Sequence, residues 1–395
     1  MISRRRGLRW PGLIFVLFLA AAILAGCTGR MPVAPPAATA SADMLALVNG
    51  LLIDGTGAQP VPEAALLIQG ETILAVGPRE EVDLPKGVRT LDLQGAALLP
   101  GLINVHVHNT MNPALLEQWA QAGVTTVRDV GAPEGQWNIQ YRQTVNRDPR
   151  KARLLMSGPL VTVPSGYPTS KFPSLTITSP DYARMQVTKL IDQGVDVIKI
   201  TLESAAGPEL SQAEVDVIVA TAHARGIPVA AHVHTSDDAQ KAISAGVDDI
   251  DHMLPHLTAD QIQAMVTKGI YWIPTITFTA EAAPEFEKFI QAHGLVAMGN
   301  DAGYLAGGEI GLPMRELVGL TRFDLTPLQV ITISTLNGAR LCSIDDEVGT
   351  LEPGKVADIL VVDGDPSQDL AALANVRLVI HKGVVIRSPA EPAAP

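Results

Sequence analysis

Cysteine is scarce: Cys27 and Cys342 are the only two in 395 residues, so the fold does not rest on a disulfide framework. Positive charge is also short. Lys and Arg number 29 against 41 Asp and Glu, a formal net charge of -12. A nucleic-acid partner needs a basic face for its phosphates, so no nucleic acid is expected to bind. Beyond the first 26 residues no apolar run is long enough to span a bilayer, which argues against a membrane-embedded body. The remainder, 47% hydrophobic and 18% charged, is ordinary for a globular enzyme. The length suits one large α/β core with a smaller satellite.

Residues 1–26 stand apart. Arg4, Arg5, Arg6 and Arg9 form a positive leader, and Leu13 to Ala25 is apolar but short for a membrane span. The run closes on Leu24-Ala25-Gly26-Cys27, which resembles a bacterial lipoprotein signal peptide. That resemblance implies cleavage before Cys27, lipidation of Cys27, and an exported, membrane-anchored protein. Thr28, in place of Asp, leans towards the periplasmic side of the outer membrane in a Gram-negative cell. An uncleaved anchor, or a signal peptide with an incidental cysteine, is the plainer alternative. Cleavage removes four arginines and no acids, so the mature body is more negative still. Acyl chains rather than surface charge must then hold it to a membrane. With Cys27 lipidated, Cys342 has no intrachain partner. Residues 27–43, with Pro32, Pro35 and Pro36, read as a tether.

From Leu45 the pattern becomes short strands punctuated by turn dipeptides. Leu45–Val48 precedes Asn49-Gly50, Leu51–Ile53 precedes Asp54-Gly55, and Ala64–Ile68 precedes Gln69-Gly70. Ile73–Val76 and Thr90–Leu93 continue the pattern. It returns near the C-terminus at Asp358–Val362, Val376–His381 and Val384–Ile386. Residues 44–99 and 344–390 are therefore expected to form one small β-sandwich from both chain ends. Between them, residues 100–343 alternate strand and helix patterns. Strands are expected at 102–107, 124–129, 152–157, 195–201, 227–232, 247–251, 270–275 and 295–300. Helices are expected at 113–122, 135–147, 180–193, 211–225, 236–245, 258–268, 284–293 and 326–342. Eight β/α units of this size have the rhythm of a TIM (β/α)8 barrel, although a doubly wound open sheet has similar spacing.

Barrel chemistry gathers at the C-terminal strand ends. The first expected strand ends in His106 and His108, which share a face because strand side chains alternate. The fourth carries Lys199 inside an apolar run. The fifth ends in His232, with His234 two residues on. The sixth ends in His252 and the eighth in Asp301. Singly, each has a plain structural explanation: a hydrogen-bonded histidine, a snorkelling lysine, a helix cap. Together at five strand ends they point to a metal centre. A buried, unpaired lysine is costly, and a carbamate on its amine would remove that cost.

The motifs Leu99-Pro-Gly-Leu-Ile-Asn-Val-His-Val-His108, Lys199, Ala231-His232, Asp251-His252, Gly299-Asn-Asp-Ala-Gly303 and Gly349-Thr-Leu-Glu-Pro-Gly-Lys-Val-Ala-Asp358 resemble those of the amidohydrolase superfamily. Gly123-Val-Thr-Thr-Val-Arg-Asp129 and Val195-Asp-Val-Ile-Lys199 look closest to its imidazolonepropionase-like and Xaa-Pro or Xaa-Arg/Lys dipeptidase branch. The resemblance implies two divalent metal ions, zinc being the best match to so many imidazoles. It implies that His106, His108 and Asp301 hold one ion and His232 and His252 the other, with N6-carboxylated Lys199 bridging. A bridging hydroxide would be the nucleophile and Asp301 the general base and acid. Tyr167 and His234 are expected to contact substrate. Arg128 is expected to pair locally with Asp129.

This chain departs from the family pattern in several places. Asn104 stands where Asp is usual, and Asn300 where Thr is common. Ser165-Gly-Tyr167 replaces a Gly-Gly-His-like loop, and the segment between the last two strands looks short.

The expected function is hydrolysis of an amide bond in a dipeptide or N-acyl amino acid. A cyclic amide is the alternative, and a lactone or phosphotriester would use the same metals. A binding lipoprotein on a decayed scaffold is the competing class, and it should purify nearly metal-free. The expected partners are a small-molecule amide and, through Cys27, a membrane. Assembly into a homo-oligomer stays open.

Overall fold

A computed structural model describes residues 41–132, 137–171, 173–277, 283–303 and 308–388. The leader, Cys27 and most of the tether lie outside the described residues. Among those residues, no helix is long and apolar enough to cross a membrane.

The chain opens with β1 (Met44–Leu52), β2 (Val61–Gln69), β3 (Thr72–Pro78), β4 (Arg89–Asp92) and β5 (Ala97–Pro100). Alternation along β1 sends Leu45 and Leu47 to one core cluster and Ala46 and Val48 to another. Asn49-Gly50 does not make the expected hairpin turn. Asn49 takes a φ of 58°, and the register shifts there while the strand runs on. This left-handed residue makes a bulge that hands the strand's edge from one parallel partner to the next. Leu45–Val48 pair with β4 and Leu51–Leu52 with β5.

Across Gly101 the chain enters the barrel through β6 (Leu102–Val107), α1 (Pro113–Gln121), β7 (Val124–Asp129), α2 (Ile139–Val145) and β8 (Arg153–Met156). Two short strands that the pattern did not show follow, β9 (Val161–Thr162) and β10 (Leu175–Thr176). Next come α3 (Pro180–Asp192), β11 (Ile198–Leu202), α4 (Gln212–His223), β12 (Val229–Val233) and α5 (Ser236–Ala245). The series continues with β13 (Asp249–Asp251), α6 (Ala259–Lys268), β14 (Tyr271–Ile273) and α7 (Ala283–Gln291). All these strands pair in parallel, in two arcs: β6-β7-β8, and β10-β9-β11-β12-β13-β14.

The expected strand at 295–300 forms no regular ladder among the described residues. It still runs between the edges of the two arcs. Trp272 N donates to Leu295 O at 2.8 Å, Val105 N to Met298 O at 2.9 Å, and Asp301 N to His106 O at 2.9 Å. Glycines allow this close approach. A Cβ on Gly299 would lie 2.6 Å from His106 Cβ, and one on Gly303 2.2 Å from His108 O.

A helix the pattern missed, α8 (Met314–Leu320), follows. Its buried Glu316 accepts from the backbone nitrogens of Ile276 and Thr277, each at 2.9 Å, which pins the chain beyond β14. The helix expected over 326–342 is broken into α9 (Pro327–Ile333) and α10 (Leu336–Leu341), with Thr335 outside helical geometry between them.

The chain then returns to the first sheet as β15 (Ile359–Val362), β16 (Val376–His381) and β17 (Val384–Arg387). β15 pairs antiparallel with β5. Both chain ends thus build one eight-stranded sheet, β17-β16-β15-β5-β1-β2-β3 with β4 beside β1. Leu47 and Leu66 share a core cluster with Leu98, Ile359 and Ile380, so the sheet wraps its own core.

Arg128 does not pair with Asp129. It crosses the barrel interior to Asp249, with Nη1–Oδ1 at 3.0 Å and Nη2–Oδ2 at 2.6 Å, and its Nε donates to Val105 O at 2.7 Å. Asp129 instead accepts from Thr110 N and Thr110 Oγ1, just past His108, and from Gly131 N. Arg128 and Asp249 are both fully buried, so removing one strands the other charge. Arg128→Met is expected to cost about 3–5 kcal/mol in urea unfolding, with much of the loss recovered when Asp249→Leu is added.

Candidate metal centre

Strand alternation and the turns that end the strands place the candidate side chains. On β6, His106 faces the barrel interior, with His108 just beyond the strand. On β11, Lys199 and Thr201 share the inward face, and Glu203 continues it two residues on. β12 supplies His232, followed by His234. β13 supplies Asp249 and Asp251 on one face, then His252. His252 and Asp301 both have positive φ, 75° and 53°. Such backbone costs about 1–3 kcal/mol per residue for a non-glycine and clusters at functional sites. The indole of Trp272 donates to His252 O at 2.7 Å and holds that turn.

Five of the six predicted ligands converge. His106 Nε2 and His108 Nε2 lie 3.5 and 3.0 Å from Asp301 Oδ1. His232 Nδ1 and His252 Nε2 lie 2.8 Å apart. Candidate ligand atoms of His106, His252 and Asp301 fall within 4.8 Å of one another, as do those of His232, His234 and His252. His234, read from sequence as a substrate contact, therefore stands with the second histidine pair, its ring stacked on His252 at 5.1 Å. Tyr167 stacks on His232 at 4.9 Å, beside the cluster.

The outward-facing nitrogens complete the picture. His106 Nδ1 is 2.9 Å from Asp251 Oδ1. His108 Nδ1 is 3.3 Å from Gly131 O. His252 Nδ1 is 2.9 Å from Thr275 Oγ1. His232 Nε2 is 3.1 Å from Glu203 Oε2. The imidazoles of His108, His232 and His252 thus each meet an oxygen with one nitrogen and turn the other to a common centre, while the His106 Nδ1–Asp251 Oδ1 contact is close but not aligned as a hydrogen bond. A metal-binding histidine takes this arrangement, because the oxygen fixes both tautomer and ring orientation. The donor set therefore fits divalent cations.

Lys199 is not unpaired. Its Nζ forms an ion pair with Asp251, which is fully buried. That contact relieves the cost of burying the amine without any carbamate. Burial still lowers Lys199 to about 7. Burial also pushes the His106, His232 and His252 imidazoles below their usual range, so they stand as neutral bases. For Asp301 burial works the other way, but its close contacts with the His106 and His108 rings outweigh it and hold the carboxyl well below the usual carboxylate range. Beneath the centre, Asn104 Nδ2 donates to Asn300 Oδ1 at 2.8 Å, an amide pair that ties β6 to the segment carrying Asp301.

Asp251, Glu203 and Thr275 were not singled out from sequence for these contacts. Asp251 and Glu203 had a signal: each sits an even number of residues from a charged inward-facing neighbour, Asp249 or Lys199.

The model of the amidohydrolase family matches residues 97–386. The imidazolonepropionase of Deinococcus radiodurans is 26% identical over 362 residues, which cover 79% of this chain and 88% of that protein. The crystal structure of a Xaa-Pro dipeptidase with methionine bound in its active site matches with a TM-score of 0.76 at 25% identity. That match covers 87% of this chain and 99% of the dipeptidase. An ochratoxinase of A. niger shares the fold at 22% identity, with a TM-score of 0.76 over 88% of this chain and 97% of its own. Because the family's model spans well over half of its length, through both the barrel and the returning sheet strands, this chain belongs to the amidohydrolase family.

Proposed function

We propose that the protein hydrolyses an amide C–N bond in a dipeptide or N-acyl amino acid at a pair of divalent cations, best matched by zinc. The observation that carries this reading is the ring arrangement: four imidazoles, three of them oriented by an oxygen at one nitrogen, present their other nitrogens to one space. His106, His108 and Asp301 would hold one cation and His232 and His252 the other, with the carbamate of Lys199 as the shared ligand. When bound, the cations activate a water and polarise the scissile carbonyl. Asp301, kept ionised between His106 and His108, would accept the proton of that water at a carboxylate oxygen and return it to the leaving amine. At about 7, Lys199 has a neutral amine population, the form that takes up CO₂. Tyr167 and His234 flank the approach to His232 and are candidates for orienting substrate.

A cyclic amide is the second reading, favoured by the likeness to an imidazolonepropionase. The test is amine or ring-opened product formation from a panel of dipeptides, N-acyl amino acids and cyclic amides. The enzyme would be the chain after Cys27, loaded with zinc in bicarbonate buffer. Turnover of a narrow subset of dipeptides or acyl amino acids is the expected outcome. No turnover of either class by protein holding two metals rejects the amino-acid amide reading.

The Leu24-Ala25-Gly26-Cys27 motif supports export and anchoring by lipid. Incorporation of labelled palmitate that disappears in Cys27→Ala tests that part.

A further inference from the structure

We infer that Glu203 is the positioning residue of the second cation site, setting which nitrogen of His232 is free to bind and how tightly the site holds its ion. The inference rests on the two-cation reading above. Glu203 follows β11 on the same face as Lys199. Its Oε2 lies 3.1 Å from His232 Nε2 and 3.7 Å from His234 Nε2. A carboxylate oxygen only accepts, so the proton of the neutral His232 ring sits on Nε2. That leaves the lone pair on Nδ1, the nitrogen facing His252 Nε2. Without Glu203 the ring is free to take the other tautomer or to rotate, and the second site loses its preset donor.

The backbone around Glu203 is held in place. Ser204 N donates to Asp238 Oδ2 at 3.2 Å. Glu209, farther along the same loop, pairs with Lys241. Asp238 and Lys241 both lie on α5, the helix that begins two residues after His234. The loop carrying Glu203 and the strand end carrying His232 and His234 are therefore fixed to one element. The partners of His106, His108 and His252 are Asp251, a backbone carbonyl and Thr275, none of which touches His232. Glu203 should thus act on one site and not the other.

The experiment is zinc binding to the chain after Cys27 in bicarbonate, read by metal analysis and by competition with a chromophoric chelator, for wild type, Glu203→Ala and Glu203→Gln. The melting temperature of each metal-free protein is measured alongside. Wild type is expected to bind two ions. Glu203→Ala should bind the second about 10–100-fold more weakly, with the first ion and the metal-free melting temperature unchanged. Glu203→Gln keeps an acceptor of the same shape without its charge and should fall between. Equal second-site affinity in wild type and Glu203→Ala overturns the inference while the two-cation reading stands. So does weakening of both ions together with a lower metal-free melting temperature in both variants, which is a folding role. Wild type saturating at a single ion overturns the two-cation reading itself, and this inference with it.

Discussion

Asp301→Asn is expected to abolish turnover and to leave most of the metal bound. The substitution keeps the size of the side chain and one acceptor oxygen facing His106 and His108, which now stand 3.5 and 3.0 Å from Asp301 Oδ1. Asparagine also tolerates the left-handed backbone at this position, φ 53°, better than most residues do. The hydrogen bond from Asp301 N to His106 O does not depend on the side chain. The variant therefore folds and keeps the neighbouring imidazoles in place. What it lacks is a basic carboxylate. General base and acid catalysis contributes about 10²–10⁴-fold, and under the proposed mechanism one group would perform both transfers, so kcat should fall at least to the upper end of that range. Metal content measured on the same sample separates this loss from loss of the ions. A variant that keeps full activity removes Asp301 from the role of base.

The parts of the site that were readable from sequence share one property: they follow from a single strand. His106 and His108, or His232 and His234, need only the two-residue alternation of side chains. Partners across strands need the register. The parallel register of β11, β12 and β13 sets Lys199 level with Ala230 and Asp249, and Asp251 two residues further along the same inward face, where the long Lys199 side chain meets it. No sequence spacing states that. The same limit explains Arg128. Next to Asp129 in sequence, it points into the barrel with Asp249, while Asp129 binds the loop after His108. Asn49-Gly50 was misread for a different reason. The dipeptide reports that a positive φ is allowed there, and both a hairpin turn and a bulge use it. Only the strands arriving later in the chain decide between them. At 295–300 an apolar run with strand character hydrogen-bonds to neighbours on both sides and stays beside β6 as far as Ala302, but only through isolated bridges, Trp272 with Val296 and Val107 with Ala302, rather than a continuous ladder.

Lys199→Ala is expected to separate the ion pair that Lys199 makes from the metal-bridging role proposed for it. In the metal-free protein Lys199 is the cationic partner of Asp251, and Asp251 is fully buried. Truncation leaves that carboxylate in the interior with no cation on it, a loss of about 3–5 kcal/mol for a broken buried pair. Urea unfolding of metal-free protein measures this. In the metal-loaded protein the carbamate of Lys199 would serve both cations, and its removal should empty the second position and stop turnover. A short carboxylic acid such as acetate or propionate fits the vacated space and supplies the missing oxygens. It brings a negative charge beside Asp251, however, so without metal it has no reason to bind and cannot restore stability. Rescue should accordingly appear in second-site metal content and in kcat, rise with acid and zinc together, and leave the metal-free unfolding curve unmoved. If acids restore the metal-free stability, the pairing with Asp251 is not the source of the loss. If they fail to restore metal at any concentration while wild type holds two ions, Lys199 is not a ligand through a carbamate, and its place in the cluster is the ion pair alone.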